Sequence, residues 1–311
     1  MKKNFKILLF LAASAASPLY AQIVNIPDAN FKNALVNTLC VDTTGDYIGD
    51  IDVDTDNDGE IQVTEVLAVT YLFVSSASIN SLIGIQSFSN LQVLDCSRNQ
   101  LTSLNVPNLV NLQVLYCYNN QLPSLDVQDL TNLRNLDCSY NQLPNLNVQL
   151  LTNLQQLYCH FNRLINLNLQ DLTNLQTLYC QSNQLTSLNI QGLANLQTLY
   201  CNDNQLTGLN PQSSTNLYHL YCQNNQLTSL NIQNTPNLYH LQCENNQLTS
   251  LNIQFLASLG NLRCSDNPIS CLSFLPNSLN QLYTTNTNIA CLPNIPPNLQ
   301  IGLLPLCTPN N

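Results

Sequence analysis

Apolar residues recur along most of this chain in one pattern that repeats every 21 residues. One unit shows the pattern, with apolar residues at Leu175, Leu178, Cys180, Leu185, Leu188 and Ile190. The alternation around Leu178 and Cys180 predicts a short strand with one buried face. A unit this small cannot bury its apolar side alone, so successive units must stack. The sequence therefore predicts a solenoid in which each coil is one strand and a return segment.

A column of cysteines marks the register of the coils. Its members stand 21 residues apart and are Cys96, Cys117, Cys138, Cys159, Cys180, Cys201, Cys222, Cys243 and Cys264. An asparagine follows each cysteine three positions later, as Asn183 follows Cys180. Cysteine in an inward strand position behaves as a small buried hydrophobe, so we predict a ladder of free thiols. The asparagine amides are predicted to bond backbone groups of the same or neighbouring coils.

This pattern, L-x-x-L-x-C-x-x-N-x-L, resembles the leucine-rich repeat family. Within that family it is similar to the short bacterial repeats of secreted and surface proteins, including relatives of the internalin class. The resemblance covers roughly residues 69–298, where we expect about 11 repeats. It implies a β-rich solenoid, a right-handed superhelix with parallel strands on the concave face. It also implies adhesion or another surface interaction as the function.

The return segments and the two ends of the array follow from the same count. A coil of 21 residues leaves little room for a helix, so turns or 3₁₀ segments are predicted on the convex side. Residues 22–68 are predicted to cap the solenoid, and residues 299–311 to form its C-terminal tail. Asp28 is the expected N-cap of a short helix in the first cap. That helix should present an apolar face made of Phe31, Ala34, Leu35 and Leu39.

An acidic segment in the N-terminal cap fits the pattern D-x-[DN]-x-[DN]-G-x5-E and so resembles an EF-hand calcium loop. The resemblance implies a structural Ca²⁺ with six ligand residues, which are Asp54, Asp56, Asp58, Glu60, Gln62 and Glu65. Glu60 would offer its backbone carbonyl, and Glu65 a bidentate carboxylate. The flanks depart from that family, because the helix before the loop ends too early and little helix can follow. The alternative is an acidic, solvated loop without metal.

The outward strand positions are the candidate ligand-binding surface. Its predicted residues are Tyr116, Tyr158, Thr177, Tyr179, Gln181, Thr198, Tyr200, His219, Tyr221 and His240. Tyrosines in four successive coils offer large contact area with a polar tip, which suits a protein or a glycan ligand. The alternative is that these tyrosines only stabilise neighbouring strands. A metal site at His219 and His240 would need a third ligand that the spacing does not supply.

Composition and charge narrow the function further. The chain has 311 residues with 8 Lys and Arg against 18 Asp and Glu, which disfavours a nucleic-acid ligand. No paired catalytic carboxylates, nucleophile with a base, or phosphate-binding glycine loop stands out, so we predict no enzymatic activity. Together with the repeats, these features favour a binding module that recognises a protein or glycan. A structural envelope or matrix scaffold without a defined ligand is the alternative, and the sequence indicates no oligomeric state.

The N-terminus has the form of a secretory signal over residues 1–21. Lys2, Lys3 and Lys6 precede an apolar run, and Ala21 is a plausible cleavage point. No later apolar run is long enough for a transmembrane helix. We therefore predict a secreted or cell-surface protein. Export also permits disulfides, and a bridge among Cys271, Cys291 and Cys307 is one hypothesis.

Overall fold

The computed structural model describes residues 22–299 and 306–307; the predicted signal segment lies outside them. One parallel sheet of 11 strands runs through the molecule in chain order. Its strands are β1 Tyr71–Phe73, β2 Val93–Asp95, β3 Val114–Tyr116, β4 Asn135–Asp137, β5 Gln156–Tyr158, β6 Thr177–Tyr179, β7 Thr198–Tyr200, β8 His219–Tyr221, β9 His240–Gln242, β10 Asn261–Arg263 and β11 Gln281–Tyr283. The predicted solenoid of parallel strands is confirmed.

Each coil buries the residues that the periodicity placed inward. In β6 the middle residue Leu178 is fully buried, and so is Cys180 directly after the strand. Leu185 and Ile190 on the return segment are also buried. Burying a leucine side chain stabilises a fold by about 1.5–3 kcal/mol, and every coil repeats this burial. The core is therefore one continuous apolar column along the solenoid.

The asparagine after each cysteine bonds two coils together. The amide nitrogen of Asn204 donates to the carbonyl oxygens of Cys201 and Asn202 in its own coil, at 3.2 Å each. It also donates to the carbonyl of Cys180 in the preceding coil, at 3.1 Å. The side-chain oxygen accepts from the backbone N–H of Leu185 at 3.0 Å. This arrangement satisfies buried backbone groups at the turn and confirms the predicted amide ladder.

A second asparagine ladder, which the sequence analysis did not predict, lies before the strands. Asn174 donates from its side chain to the carbonyl of Thr152, and Asn195 to that of Thr173, each at 2.9 Å. Each bond reaches back to the preceding coil. The described return segments between the strands contain turns and one 3₁₀ helix, Ile85–Ser87, but no α-helix. The predicted lack of regular convex helices is confirmed.

The N-terminal cap begins with helix α1, Ala29–Asn37, and ends with the short helix α2, Val63–Val66. Asp28 caps α1 by accepting from two backbone N–H groups of its first turn. Phe31, Ala34 and Leu35 are buried, as expected. The expectation for Leu39 was wrong, since its side chain is 66% exposed. The helix ends at Asn37 and Thr38 is extended, so the helical spacing no longer applies at Leu39.

The cap covers the first edge of the sheet. Val41 pairs antiparallel with Leu72 of β1, and the N–H of Phe73 donates to the carbonyl of Cys40 at 2.7 Å. The second carboxylate oxygen of Asp28 accepts from the N–H groups of Asn80 and Ser81 in the first coil. These contacts pair an edge that would otherwise expose unsatisfied backbone groups.

A disulfide joins Cys291 and Cys307 at the far end, with their Cα atoms 4.9 Å apart. It is one of the pairings left open by the sequence, while Cys271 is exposed and unpaired. The nine ladder cysteines are buried and unpaired, as predicted. Most of the predicted tail lies outside the described residues. No helix in the described ranges is both long and apolar enough to cross a membrane.

Candidate functional site

The strand face is the outward side of the sheet, formed by the first and third residue of each strand and the residue after each inward cysteine. Its most regular feature is the predicted tyrosine stripe, Tyr158, Tyr179, Tyr200 and Tyr221, in register on β5–β8. Neighbouring ring centroids lie 5.0, 4.3 and 4.2 Å apart in that order. All four side chains are half-buried. The stripe is therefore one connected aromatic strip across four coils.

The rings of the stripe partly cover one another. Tyr179 and Tyr200 are stacked with an angle of 4° between their planes, so each hides one face from a ligand. Tyr158 meets Tyr179 edge-on instead. Burial, followed by the nearby phenols of Tyr179 and Tyr221, raises the pKa of Tyr200. Its hydroxyl stays protonated at neutral pH and can donate as well as accept hydrogen bonds.

A second row carries the predicted residues Thr177, Thr198, His219 and His240, which pair in register on β6–β9. The two imidazole rings stack at 4.8 Å. Burial lowers the pKa of both histidines, so the neutral rings are favoured. Neither histidine belongs to a cluster of potential metal ligands in the described residues. Their arrangement extends the aromatic surface.

Tyr218 and Tyr239 widen this row, although neither was among the predicted site residues. Their rings stack at 5.4 Å, and each packs edge-on against its neighbouring histidine. Gly260 makes room for Tyr239, because a Cβ atom there would lie 2.5 Å from the tyrosine ring. The aromatic surface therefore extends beyond the strands onto Tyr218 and Tyr239, the residues that directly precede β8 and β9.

The residues that follow the cysteines leave polar atoms without partners. Four of their buried atoms make no hydrogen bond. They are Oε1 of Gln181, Oε1 of Gln223, Nδ1 of His160 and Oε2 of Glu244. Buried polar groups are normally paired, so each such atom calls for an explanation. Gln181 was predicted as a ligand residue, and this is the observation on the strand face that most directly points to a missing partner.

An exposed aromatic pair lies beside the residues that follow the cysteines. Tyr140 and Phe161 stack at 4.5 Å and are 49% and 45% exposed. Both have positive φ, 52° and 51°, at a turn where the other coils mostly carry Asn, Asp or Ser. Bulky side chains seldom adopt this conformation. His160 contacts both rings edge-on.

The N-terminal part of the strand face has a different composition. From β1 to β5 the third strand residues are, in register, Phe73, Asp95, Tyr116, Asp137 and Tyr158. The predicted residue Tyr116 is therefore separated from the tyrosine stripe by Asp137. Burial raises the pKa of Tyr116, and smaller raising effects come from Tyr47, Asp137 and Asp95 nearby. Aromatic and acidic residues alternate here, whereas tyrosines are continuous further along.

The acidic loop of the cap brings three predicted ligands together. Carboxylate oxygens of Asp54, Asp56 and Asp58 lie within 4.8 Å of one another. Gly59 has a φ of +83°, which lets the chain turn sharply, and its N–H donates to Asp54. Partial desolvation, and then the neighbouring carboxylates, raise the pKa of Asp56. The three carboxylates therefore form an acidic cluster, in which Asp54 is buried and Asp56 and Asp58 are exposed.

The other three predicted ligands lie in the same loop and have different partners. Gln62 is buried, donates to Asp58 at 2.8 Å, and has no partner for its Oε1. Both carboxylate oxygens of Glu65 accept backbone N–H groups, from Thr55 and Gln62, at 2.7 and 2.9 Å. Glu65 thus closes the loop instead of joining the acidic trio. The side chain of Glu60 forms an ion pair with Lys32 of α1 at 2.8 Å, which ties the loop to that helix.

A family model described as "Leucine Rich repeats (2 copies)" matches residues 89–130 and 173–214. The chain contains leucine-rich repeats. Their stacking accounts for the leucine, cysteine and asparagine columns, and the fold is a leucine-rich repeat superhelix. No curated protein matches this sequence.

Several solved structures share the fold. The functional domain of InlJ from Listeria monocytogenes, which includes a cysteine ladder, is 27% identical with a TM-score of 0.73 over 85% of this chain. The chain spans 61% of that protein. An internalin, InlF, from the same species is 25% identical with a TM-score of 0.66, covering 86% of this chain and 85% of its own. The plant peptide hormone receptor RGFR1 in complex with RGF2 is 23% identical, with a TM-score of 0.57 over 66% and 37% of the two chains.

The leucine-rich repeat geometry thus places all ten predicted ligand residues on one face. Nine of them adjoin one another, and Tyr116 is separated from the others by Asp137. Sequence reasoning missed Tyr47, Tyr140, Phe161 and the Tyr218–Tyr239 pair. A signal for Tyr140 and Phe161 exists, because they stand two positions after the ladder cysteine, where Asn and Asp are common. Tyr47 gives no such signal, since it lies in the cap and reaches the sheet only through the fold.

Proposed function

We propose that this protein is an exported, non-enzymatic binding module that recognises a protein partner through its strand face. The observation that carries the proposal is the connected tyrosine stripe, in which four half-buried rings span four coils. Tyrosine offers large, rigid contact area and is enriched in protein interfaces. A related fold in complex with a peptide hormone supports a protein as the ligand.

Ring geometry favours a protein over a glycan. Sugars bind aromatic residues through open ring faces, but Tyr179 and Tyr200 cover one face of each other. Ring edges and hydroxyls suit the mixed polar and apolar surface of a protein. The unpartnered oxygens of Gln181 and Gln223 would accept hydrogen bonds from such a surface.

The experiment replaces the stripe and leaves the core intact. The variant Y179S/Y200S is compared with F255S, which removes an exposed aromatic side chain from a return segment. Binding is measured on arrays of surface proteins and of glycans. We expect protein ligands of the wild type to lose at least tenfold in affinity in the stripe variant and to be retained by F255S. Equal binding by all three proteins would overturn the proposal, and glycan-only binding would replace the partner class. The absence of any ligand would favour a structural scaffold.

Export is part of the proposal and rests on residues 1–21, with internalin-type neighbours as support. Expression of the full chain in a bacterial host with a Sec pathway, followed by N-terminal sequencing of the processed protein, tests it. We expect the mature chain to begin at Gln22, outside the cytoplasm. An unprocessed chain retained in the cytoplasm would contradict it.

We further propose that the acidic loop binds a structural Ca²⁺. The residues fit the ion, because three carboxylates converge and the buried Oε1 of Gln62 has no protein partner. Asp54, Asp56, Asp58 and Gln62 would supply oxygen ligands, which calcium prefers. Glu60 and Glu65 remain predicted ligands, although Glu65 is occupied with backbone N–H groups. A bound cation would relieve the repulsion among the carboxylates and hold the loop against α1.

Thermal unfolding with calcium or with a chelator tests this site. Ligands that bind only the folded state raise the melting temperature. We expect millimolar Ca²⁺ to raise the melting temperature of the wild type and of D46N, which changes an exposed acid in a neighbouring loop. The variant D56N/D58N should lose this response. No response in the wild type, or an equal response in D56N/D58N, would remove calcium from this loop.

A further inference from the structure

The N-terminal part of the strand face holds two carboxylates, each between aromatic residues. Asp95 stands in register between Phe73 and Tyr116, and Asp137 between Tyr116 and Tyr158. We call these five residues the acidic–aromatic row. Adjacent strands lie about 4.8 Å apart, so each carboxylate has a ring on either side within the reach of one guest side chain.

Neither carboxylate has a cationic partner. Oδ1 of Asp95 accepts hydrogen bonds from the N–H and the hydroxyl of Ser97. Oδ1 of Asp137 accepts the same two bonds from Ser139. The ion pair between Lys32 and Glu60 is the one salt bridge within residues 22–299 and 306–307. Arg98 lies over the Tyr118 ring, 5.5 Å from its centroid, and forms no ion pair with either aspartate. The row is therefore negative and half-buried, and it has no internal counter-charge.

The cap adds a further aromatic ring to this end. Tyr47 is 54% exposed and lies 6.0 Å from the Tyr71 ring and 6.3 Å from the Phe73 ring. Its backbone has a φ of +66°, and its N–H is held by the carboxylate of Asp42 at 2.7 Å. A bulky residue in this conformation is strained, and such strain often marks a functional position. The cap thus holds an exposed tyrosine beside the first aromatic residue of the row.

From this arrangement we infer that the acidic–aromatic row binds an extended, basic segment of the protein partner, with one Lys or Arg side chain at Asp95 and another at Asp137. This inference rests on the proposed function and names the partner's chemistry at one part of the strand face. Cations bind favourably over aromatic rings, and a desolvated carboxylate strengthens that preference. The two aspartates are two strands apart, roughly 10 Å. In the extended polyproline II conformation, with three residues per turn and a rise of about 3.1 Å per residue, side chains three apart point the same way and lie roughly 9 Å from each other, so the basic residues should be spaced three apart.

The same column of the strand face does not share this chemistry beyond Tyr158. Tyr158 belongs to both the row and the tyrosine stripe, but the stripe itself contains no acidic residue, and Arg263 stands two strands beyond its end. The guanidinium of Arg263 lies over the Tyr283 ring at 4.4 Å. A basic segment is therefore complementary to the row at β1–β5, while the tyrosine stripe offers general contact area.

Fluorescence anisotropy with labelled peptides tests the inference on the whole mature chain. One peptide carries arginine at every third position, a second has the same composition with adjacent arginines, and a third has glutamate in place of arginine. The isosteric variant D95N/D137N keeps a side-chain oxygen for Ser97 and Ser139. The control D126N/D129N removes two exposed acids outside the strands and changes the net charge equally.

We expect the spaced arginine peptide to bind the wild type at least tenfold more tightly than the other two. D95N/D137N should lose at least tenfold in affinity, and D126N/D129N less than twofold. Equal loss in both variants, or no dependence on spacing, would overturn the inference. If D95N/D137N abolishes self-association in sedimentation, the occupant is a second copy of this chain and the inference is also overturned. Y179S/Y200S separates the proposals, because ligand binding that needs the stripe but not the aspartates leaves the proposed function standing.

Discussion

The interior of the coils and the strand face are built from alternating residues of the same chain, yet they follow opposite rules. Inside, nearly every coil repeats the same leucine, cysteine and asparagine, and in β6 both Leu178 and Cys180 are fully buried. Outside, the position between them changes from Asp137 to Tyr179 to Arg263 along the array. Stacking constrains the interior because each coil must match its neighbours. The strand face can vary because the stacking of the coils does not fix its residues.

Hydrogen bonding shows the same contrast. The buried amide of Asn204 uses both its oxygen and its nitrogen, whereas the amide oxygen of Gln181 on the face has no partner. An unpaired buried polar group destabilises a fold by about 1–3 kcal/mol. The cysteines and asparagines of the interior therefore have structural roles. The amide oxygen of Gln181 on the strand face, by contrast, is free to accept a hydrogen bond.

Thiol reactivity tests the interior with the largest expected effect. Burial raises the pKa of Cys180 from 9.0 to about 12, which makes its thiolate roughly a thousandfold scarcer. We expect iodoacetamide to label the native protein at Cys271, which is exposed, and to leave the ladder unmodified until the protein unfolds. Intact-mass measurement checks this, and C271S should take up no label. Rapid labelling of several ladder cysteines would break the contrast between interior and face.

Removing one ladder amide should be the largest change in stability. Asn204→Ala leaves the buried N–H of Leu185 without a partner and removes one of the two amide donors at each carbonyl of Cys180 and Cys201, so we expect a loss of about 2 kcal/mol. Asn189→Ala is the control, because that exposed side chain accepts one local bond from Gln191. Its loss should stay below about 1 kcal/mol. Urea unfolding measures both, and equal losses would show that the ladder adds nothing specific.

The pH dependence of stability tests the burial of His160 on the strand face. Burial lowers the pKa of His160 to about 4, below the value of 6.5 expected in the unfolded chain. The unfolded state therefore binds the proton more tightly, and stability falls as pH drops from about 6.5 toward 4. We expect His160→Gln to lose less stability than the wild type between pH 7 and pH 5, as measured by thermal unfolding. An identical pH response in both proteins would contradict the burial of this imidazole.

The smallest effect concerns the edge of the face at Tyr239. A methyl group at Gly260 would overlap the Tyr239 ring, which can move aside because it is the end of a side chain. Gly260→Ala should therefore alter the near-ultraviolet circular dichroism of the tyrosines with less than about 1 kcal/mol change in stability. Gly208→Ala is the matched control, since nothing lies within 4 Å of its new Cβ. Equal spectra for both variants would show that the glycine is not needed for the ring.

The interior was predictable because one physical constraint repeats in every coil. A buried position such as Leu178 recurs at a fixed spacing, so its inward direction follows from counting. The amide role of Asn183 followed equally from its fixed distance to Cys180. The order of residues on the face was predictable too, because parallel strands in register place Tyr179 beside Tyr200. How far their rings would cover each other depends on side-chain rotation, which spacing does not determine.

The departures arise where the repeat ends or the backbone takes an unusual conformation. Leu39 fits a helical spacing, but the helix stops at Asn37 and the side chain is exposed. Tyr47 reaches the strand face only because its loop packs against β1. The end of the helix and the packing of the cap loop decide these two places, and neither follows from the repeat spacing.

The second asparagine ladder has a consequence for how such a chain can change its size. Each of its amides, such as that of Asn195, bonds a backbone carbonyl of the preceding coil, so the same contact recurs between successive coils. Excising residues 181–201 would join Cys180 to Asn202, which takes the place of Gln181, and would let every contact between coils re-form. The strand face can therefore gain or lose whole coils without any change in the type of contact between neighbouring coils.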